Sequence, residues 1–390
     1  MERGNSDVKG TRPLQAEILR MYLFGDGKVC KKDSKFKMEN LKIVEFMKEY
    51  RIQNIEFRRK ARLALIPFFI LTSVFCFLSS VSSADTIKVL ILDENNTRIP
   101  EKNEQLEKIG TRMKGDLLIS GIHYTGEIEV WKGQNGLYVI NEIPFEDYVK
   151  SVLMAEVGTN WEMEALKAQA VVSRTYAVYQ KNANGNPYYH LTSSVLHQAY
   201  RGGSADARIA YAVEKTSGEI LTFNNKPIEA FYHSTAGERT ELPEEVFGKS
   251  YPYLKSVEAS CETSPYWVWE RKMPVSEVER SLNLSGVKNI TIKSLTTTGR
   301  VKELSINTDS GQDTIKATEL RKLLGWQKLP STNFSLVRDG DSIIFEGKGY
   351  GHGVGLCQWS ALEMAKKGKS YREILSFFYP GTEIHLYEGR

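Results

Sequence analysis

The pattern of apolar and polar positions predicts alternating β-rich and helical stretches along most of the chain. Residues 86–92 form a mainly apolar run that predicts a strand. The short alternating runs Gly126–Lys132 and Gly136–Ile140 are separated by Gly and Asn, which predicts a small β-rich unit. Apolar residues with helical spacing then predict helices between Pro144 and about Gln180.

The second half of the chain repeats this mixture. Strands are predicted at Glu219–Phe223 and Ile228–Tyr232, and a third β-rich stretch at about 290–345, where Thr-Gly, Asp-Ser-Gly and Asp-Gly turns occur. A helix at Ser370–Tyr379 and a strand at Glu383–Tyr387 close the chain. No internal repeat or flexible linker interrupts the series. The pattern therefore predicts an α+β fold, a composite single domain with a central helical pair flanked by small β-rich subdomains.

An uncharged apolar run, Leu63–Leu78, precedes the predicted fold. Basic residues at 58–62 come before it, and Ser82-Ser83-Ala84 come after it. This order is typical of a secretory signal peptide, cleaved here after Ala84. The alternative is an uncleaved membrane anchor, although a helix over this run spans roughly 24 Å and a bilayer core is roughly 30 Å thick.

Three regions follow from this interpretation. Residues 1–57 are a cytosolic tail or an over-extended start, residues 58–84 are the signal peptide, and residues 85–390 are the working domain. We expect that domain to be exported and extracytoplasmic, in the cell envelope or secreted. Its two cysteines, Cys261 and Cys357, either form one disulfide or remain two thiols.

Composition and charge exclude several classes of protein. A hydrophobic content of 41% excludes a disordered chain, and four Cys exclude a disulfide scaffold. The net charge of +4 is uneven, because residues 1–62 hold 16 basic and 9 acidic residues, whereas 85–390 hold 36 and 39. Since the exported part is net acidic, a nucleic-acid partner is not expected.

The first predicted helix carries a candidate general acid. Val149, Val152, Leu153 and Glu156 are spaced to share one helix face. A carboxylate at the end of an apolar stripe is partly desolvated, which raises its pKa and favours the protonated form that a general acid needs. The alternative from spacing alone is a surface carboxylate at a helix end.

The ends of the helical pair also have sequence signals. Gly158 can end the first helix, and Asn160 can cap the second, predicted over Trp161–Tyr179. Four alanines in the second helix permit close packing: Ala165, Ala168, Ala170 and Ala177.

A glycine-rich segment, Gly347–Ala361, is the second candidate for chemistry. Alternate glycines let the backbone approach a ligand, and their spacing matches neither a phosphate loop nor a dinucleotide fingerprint. His352 within it could be a hydrogen-bond donor, a proton relay or a buried structural histidine. Cys357 resembles a nucleophile, but one thiol without a base is more often inert.

A third segment, Phe231–Thr240, runs from a strand into a polar turn. His233 and Ser234 offer hydrogen-bonding groups there, and the alternative is a turn that satisfies itself. A zinc site needs three or four convergent ligands, and His197, His233 and His352 are scattered in sequence. No metal and no cofactor are therefore expected.

Taken together, these segments resemble the stage II sporulation protein D (SpoIID/LytB) family. The resemblance covers essentially all of 85–390 and rests on segments in the same order and spacing: Glu146–Val149 with Ala155-Glu156, Glu164–Ala177, His233–Gly237, Gly349–Gln358 and Tyr379–Gly381. Three differences are Val157-Gly158 in place of Met-Pro, Glu238 in place of a second Gly, and Cys357 in place of Ser.

The resemblance implies a peptidoglycan lytic transglycosylase that cuts glycan strands, typically those lacking stem peptides. The catalytic Glu of the family falls on Glu156. An ordinary glycosidase needs two carboxylates. In a lytic transglycosylase one suffices, because it protonates the leaving oxygen and then deprotonates the muramyl 6-hydroxyl, which leaves a 1,6-anhydro-muramyl end.

Other residues of the matching segments are expected to bind the glycan. Polar candidates are Gln169, Ser173, Arg174, His233, Ser234, His352 and Gln358. Trp161, Tyr350 and Trp359 are candidates for stacking on sugar rings, although core packing explains any single aromatic equally well.

Some family members bind zinc through a His and nearby Cys residues. His197 matches that His, but no Cys lies near it in the sequence, so no bound metal is expected. A second function, from a different class, is a non-catalytic glycan-binding or enhancer module that stimulates a cell-wall amidase. The expected partners are peptidoglycan strands, with such an amidase as a further candidate.

Overall fold

The structure is a computed structural model that describes residues 85–92, 98–101, 103–194, 197–203 and 205–389. The predicted tail and signal peptide, residues 1–84, lie outside the described residues, so their division stays a prediction. Within the described part of the chain, no helix combines the length and the apolar composition needed to cross a bilayer.

The first part of the domain is a β-rich unit. Its strands are β1 (Thr86–Ile91), β2 (Glu107–Lys114), β3 (Leu117–Ile119), β4 (Ile122–Tyr124), β5 (Glu127–Gly133) and β6 (Gly136–Pro144). With β7 (Leu191–Thr192) they build a five-stranded sheet in the order β2-β5-β6-β1-β7 and a separate β3-β4 hairpin. The strands predicted in this region are confirmed.

The helical pair follows directly. Helix α1 spans Phe145–Glu156 and helix α2 spans Met163–Ala183. Alanines and other small residues make α2 buried on nearly all sides from residue 165 to residue 178, which is typical of a central core helix. Asn160 does not cap α2, because the helix begins two residues later with Glu162 at the cap, and extended Val157, not Gly158, ends α1.

The middle of the chain holds shorter elements. These are α3 (Ala207–Lys215), β8 (Glu219–Phe223), β9 (Lys226–Pro227), β10 (Tyr232–His233) and α4 (Pro243–Phe247). The predicted strand at Glu219–Phe223 is confirmed. The one at Ile228–Tyr232 is wrong for all but its last residue, because the chain pairs with two different neighbours there and leaves residues 228–231 unpaired between them.

The third β-rich stretch forms two three-stranded sheets with a core of its own. Its elements are β11 (Trp269–Pro274), α5 (Val275–Leu282), β12 (Val287–Leu295), β13 (Val301–Thr308), β14 (Gly311–Lys316), α6 (Ala317–Leu324), β15 (Phe334–Asp339) and β16 (Ser342–Gly347). Leu304, Leu320 and Phe345 are fully buried in this core. The β-rich prediction is confirmed, and α6 is an addition to it.

The last elements return to the central helix. They are β17 (Leu356–Cys357), α7 (Gln358–Lys366), α8 (Tyr371–Phe378) and β18 (Glu383–Leu386). Ser370 and Glu373 form a capping box at the start of α8. Helices α7 and α8 pack on α2, and a large apolar cluster lies between them. The mixed α+β fold with several small sheets is thus confirmed.

Candidate functional site

Glu156 lies at the end of the buried face of α1. Val149, Val152 and Leu153 on that face are fully buried, and Glu156 is partly exposed. Its Oε1 accepts hydrogen bonds from the backbone N–H of Ala199 at 2.8 Å and from another side chain described below. Burial raises the pKa of Glu156 more than these donors lower it. The site therefore favours the protonated form of this carboxyl more than water does.

The second donor to Glu156 is the hydroxyl of Tyr232, at 3.1 Å from Oε1. Burial and the neighbouring carboxylate raise the pKa of Tyr232 well above its ordinary value, so the phenol stays protonated and donates. Behind it, Gln198 accepts from Tyr148 at 2.9 Å and donates to the carbonyl of Ser173 at 3.2 Å. Gln198 also bonds to the phenol of Tyr232. Through Gln198 the phenol is therefore held in place by Tyr148 of α1 and Ser173 of α2.

Strands β10 and β17 bring the two polar segments of the sequence side by side. They pair in parallel, with Tyr232 opposite Leu356 and His233 opposite Cys357. The glycines permit this approach, because a Cβ on Gly355 would lie 2.0 Å from the carbonyl oxygen of Phe231. The group that lies close to Gly355 is thus backbone of the same chain. This differs from the expectation that the glycines let the backbone approach a ligand.

The two histidines of these segments are neutral side chains in contact with each other. Their ring centroids are 5.6 Å apart. His233 Nδ1 donates to the carbonyl of Val354 at 3.1 Å, and His352 Nδ1 accepts from the N–H of the same residue at 3.0 Å. Burial lowers the pKa of His352 to about 3, assisted by the charge of Arg321. The structure therefore favours the structural histidine among the alternatives for His352.

The polar candidates on α2 face the interior of the protein. Gln169 donates to Ser173 Oγ at 3.1 Å, and both are buried. Arg174 is fully buried and pairs with both oxygens of Glu146, at 2.8 and 2.7 Å. Its Nη1 donates to the carbonyl of Glu219 at 3.1 Å, so every guanidinium nitrogen is engaged within the protein.

Gln358 lies close to the carboxyl of Glu156. It begins α7, is 4% exposed, and its amide lowers the pKa of Glu156. Among the described residues, its Nε2 has no hydrogen-bond partner. Its closest polar neighbour is thus the Glu156 carboxyl, which it reaches without a hydrogen bond of standard geometry, and a ligand oxygen at the site could take the place of that carboxyl.

Aromatic rings lie near both ends of the site. Trp161 follows α1 and Trp359 follows Gln358, and their ring centroids are 5.4 Å apart, edge to face. Both rings are partly exposed. Tyr350 packs on Tyr266 at 4.4 Å. Ser234 bonds to its neighbour's hydroxyl at 3.2 Å, as expected for a turn that satisfies itself.

The described residues offer no cluster of three or more His, Cys, Asp or Glu side chains that could hold a metal ion. The ring of His197, the match to the zinc-binding histidine, bonds instead to Thr192 Oγ1 at 2.8 Å.

Comparison with known proteins gives two matches to family models. A model described as stage II sporulation protein matches residues 133–223, which include the helical pair and Glu156. A model described as a domain of unknown function matches residues 254–355. The chain is also 33% identical over 316 residues to an uncharacterised protein of Brachyspira hyodysenteriae, covering 78% of this chain and 84% of that protein.

A relative with an assigned name decides the family. The stage II sporulation protein D of Bacillus amyloliquefaciens is 33% identical over 274 residues, which cover 66% of this chain and 78% of that protein. The chain belongs to the stage II sporulation protein D family. The amidase enhancer of Bacillus subtilis is 31% identical over 290 residues, which cover 61% of this chain but only 40% of that protein.

The structure shows the contacts made at each of the three departures from the stage II sporulation protein D pattern. Gly158 lies under Trp161, where a Cβ would come within 2.9 Å of the indole nitrogen. Glu238 pairs with Lys348 on the surface. Cys357 caps α7 by accepting from the N–H of Ser360 at 3.4 Å, a role that Ser also performs.

The sequence interpretation did not assign Tyr232, Gln198 or Ala199 to the site. Gln198 and Ala199 directly follow His197 in the sequence, and Tyr232 directly precedes His233. All three are therefore neighbours of residues that the sequence motifs single out. The bonds of Ala199 and Tyr232 to Glu156 join positions that are 43 and 76 residues apart, which no local pattern encodes.

Proposed function

We propose that this protein is a peptidoglycan lytic transglycosylase that uses Glu156 as general acid and then as general base. The observation that carries the proposal is the environment of this carboxyl, which burial holds toward its protonated form while Ala199 and Tyr232 donate to Oε1. A group in this condition can release a proton and then be stabilised as an anion.

In the first step, Glu156 protonates the glycosidic oxygen of the leaving sugar. Both protein donors reach Oε1, so we assign the transferable proton to Oε2. The carboxylate that forms is stabilised at Oε1 by Ala199 and Tyr232. In the second step, it takes the proton of the muramyl 6-hydroxyl, which attacks the anomeric carbon and closes the 1,6-anhydro ring.

The proposed reaction needs no second carboxylate. The side chains that set the pKa of Glu156 are the phenol of Tyr232, the amide of Gln358 and the distant charge of Arg201, and none of these is acidic. A hydrolase of either stereochemical type would need an acidic partner for the water or the intermediate. An internal hydroxyl of the substrate supplies the nucleophile instead.

The proposed glycan contacts are the residues around the mouth of the site. Gln358 offers an amide donor beside Glu156, and Trp161 and Trp359 offer partly exposed rings. We propose that Gln169, Ser173, Arg174, His233 and His352 act indirectly, by holding α2 and the β10–β17 pair in place. Ser234 and Tyr350 remain candidates for contacts at the edge of the cleft.

The setting proposed for this activity is the cell envelope, after export directed by residues 58–84. A second function, supported by the amidase enhancer of Bacillus subtilis, is stimulation of a cell-wall amidase without cleavage of the glycan. The two functions differ in what they require of Glu156, because a binding module needs the shape of the cleft but not a titratable carboxyl.

The test compares the purified full chain with Glu156→Gln on glycan strands freed of stem peptides by an amidase. The proposal predicts new glycan ends with wild type, and binding without new ends with Glu156→Gln. A matched control is Glu162→Gln, which changes an exposed carboxylate six residues further on and is expected to keep activity. Stimulation of amidase by both proteins, with no new glycan ends from either, would instead establish the enhancer function.

A further inference from the structure

Cys261 and Cys357 lie in contact although they are far apart in the sequence. Both are fully buried thiols. Cys261 Sγ donates to the carbonyl of Gly237 at 3.2 Å, and Cys357 Sγ accepts from the N–H of Ala236 at 3.3 Å. The two sulfurs thus bind adjacent residues of one turn, and they also form a hydrogen bond with each other.

We propose that Cys261 and Cys357 are a site of covalent modification, at which a disulfide joins the segment before β11 to the residue that caps α7. The proposal is independent of the glycan-cleaving function. It rests on the shared turn, to whose adjacent residues both sulfurs bond, and on the interaction of the two sulfurs with each other.

The oxidant belongs to the disulfide class, such as oxidised glutathione or a disulfide-carrying oxidoreductase. The Cys261 thiol loses its proton and attacks one oxidant sulfur, which releases one oxidant thiolate and leaves a mixed disulfide. The Cys357 thiol then loses its proton and attacks Cys261 Sγ, which releases the second oxidant thiolate. Two protein thiols are oxidised, and one oxidant disulfide is reduced to two thiols.

In the folded protein the surroundings of the pair act on the two thiols in opposite directions. Its pKa is lowered mainly by the hydrogen bond from Cys357, with smaller contributions from backbone groups of the turn and from the charge of Arg300. Burial raises the pKa of Cys357 well above its ordinary value. Since both thiols are inaccessible in the folded protein, the bond forms while the chain folds.

A disulfide gives up the hydrogen bonds that the thiols donate to Gly237 and Ser234 but keeps those that Cys357 Sγ accepts. Cys357 Sγ accepts hydrogen bonds from Ala236 and Ser360, and a disulfide sulfur keeps the lone pairs that these bonds need. The bond would lie next to Gln358, so it would anchor the segment that places this amide near Glu156. In relatives with Ser at position 357 this crosslink cannot form.

The test refolds the purified full chain in a buffer of oxidised and reduced glutathione, blocks free thiols, and maps peptides by mass spectrometry without reduction. We expect a linked pair of peptides containing Cys261 and Cys357, and an unfolding temperature roughly 5–10 °C above that of the reduced protein. Cys357→Ser restores the residue usual in the family and is expected to fold, with no link and no rise.

One further variant shows which cysteines form the link. The chain has four cysteines, and the variant with Cys30→Ser and Cys76→Ser retains only the proposed pair. We expect the link to persist in it unchanged. Blocked, unlinked Cys261 and Cys357 in the refolded wild-type protein, or a link from either of them to Cys30 or Cys76, would overturn the proposal.

Discussion

The hydroxyl of Tyr232 donates to Oε1 of Glu156 across 3.1 Å, and the two residues act on each other in opposite directions. The hydrogen bond lowers the pKa of the carboxyl and thus partly offsets burial, while the carboxylate raises the pKa of the phenol. The phenol therefore stays a donor throughout the proposed cycle, and the strength of its bond grows when Glu156 loses its proton.

Tyr232→Phe removes the hydroxyl and so tests its effect on the pKa of Glu156 and on turnover. Loss of the donor raises the pKa of Glu156, so the alkaline limb of the pH–rate profile should move to higher pH. Turnover should fall roughly ten- to a hundredfold, because the carboxylate formed after proton transfer loses a hydrogen bond to a charged group. The measurement is the pH dependence of glycan cleavage.

Tyr253→Phe is the control for this variant. Its buried hydroxyl accepts from the N–H of Glu229 and does not contact Glu156. The profile of the control should match wild type. An unchanged alkaline limb in Tyr232→Phe would show that this phenol does not tune the acid.

Glu156→Gln should stabilise the protein at neutral pH. The unfolded chain releases this proton near the ordinary pKa of 4.5, whereas burial raises the pKa in the folded state. Between those two values the folded state binds more protons, so its free energy of unfolding falls as pH rises. The variant avoids this loss. Its gain in unfolding free energy, measured by urea denaturation, should therefore be present at pH 7 and shrink toward pH 4.5.

A gain that is equal at all pH values would point to packing rather than to the charge. Glu162→Gln provides the baseline, since the side chain of Glu162 is exposed to solvent. Its stability should follow the wild-type curve across the same range.

Arg174→Met should destabilise the fold by about 3 kcal/mol without altering KM for glycan. The substitution leaves Glu146 and the carbonyl of Glu219 without their donor, and loss of one partner from a buried charged pair is costly. Thermal unfolding and steady-state kinetics measure the two quantities separately. A raised KM at full stability would restore the direct role in glycan binding that the sequence suggested.

Trp359→Ala should raise KM for glycan roughly two- to tenfold with a smaller change in kcat, if its ring stacks on a sugar. Gly158→Ala should act in the same direction, because its Cβ would displace the indole of Trp161, which contacts Trp359. Trp131→Phe, in the N-terminal sheet, is the control. Unchanged KM in both site variants would assign these rings to packing alone.

The elements with strong local signals were predictable from the sequence. Helix α8 has its capping box at Ser370, and strand β8 is bounded as predicted at Glu219–Phe223. Helix α6 was missed because it spans only eight residues within a stretch of strands. The strand predicted at Ile228–Tyr232 is wrong because the chain leaves β8 after Pro227 and joins β17, more than 120 positions away, only at Tyr232.

The residues of the candidate site likewise include some that local sequence patterns predict and others that only long-range contacts bring to the site. The position of Glu156 at the end of an apolar helix face is a local property, and the sequence predicts it. The donors to its carboxyl, Ala199 and Tyr232, come from other parts of the chain and were not assigned. Arg174 was expected at the substrate because its motif is shared with the family, but only the tertiary structure reveals its partner, Glu146.

The most direct test of the central claim is the mass of the new muramyl end made by the full chain in water enriched in oxygen-18. If the 6-hydroxyl is the nucleophile, wild type yields ends one water lighter than a reducing end and free of oxygen-18, and Glu156→Gln yields none. Reducing ends that contain oxygen-18 would show hydrolysis, and equal product from Glu156→Gln would show that another residue is the acid. Either result would contradict this account.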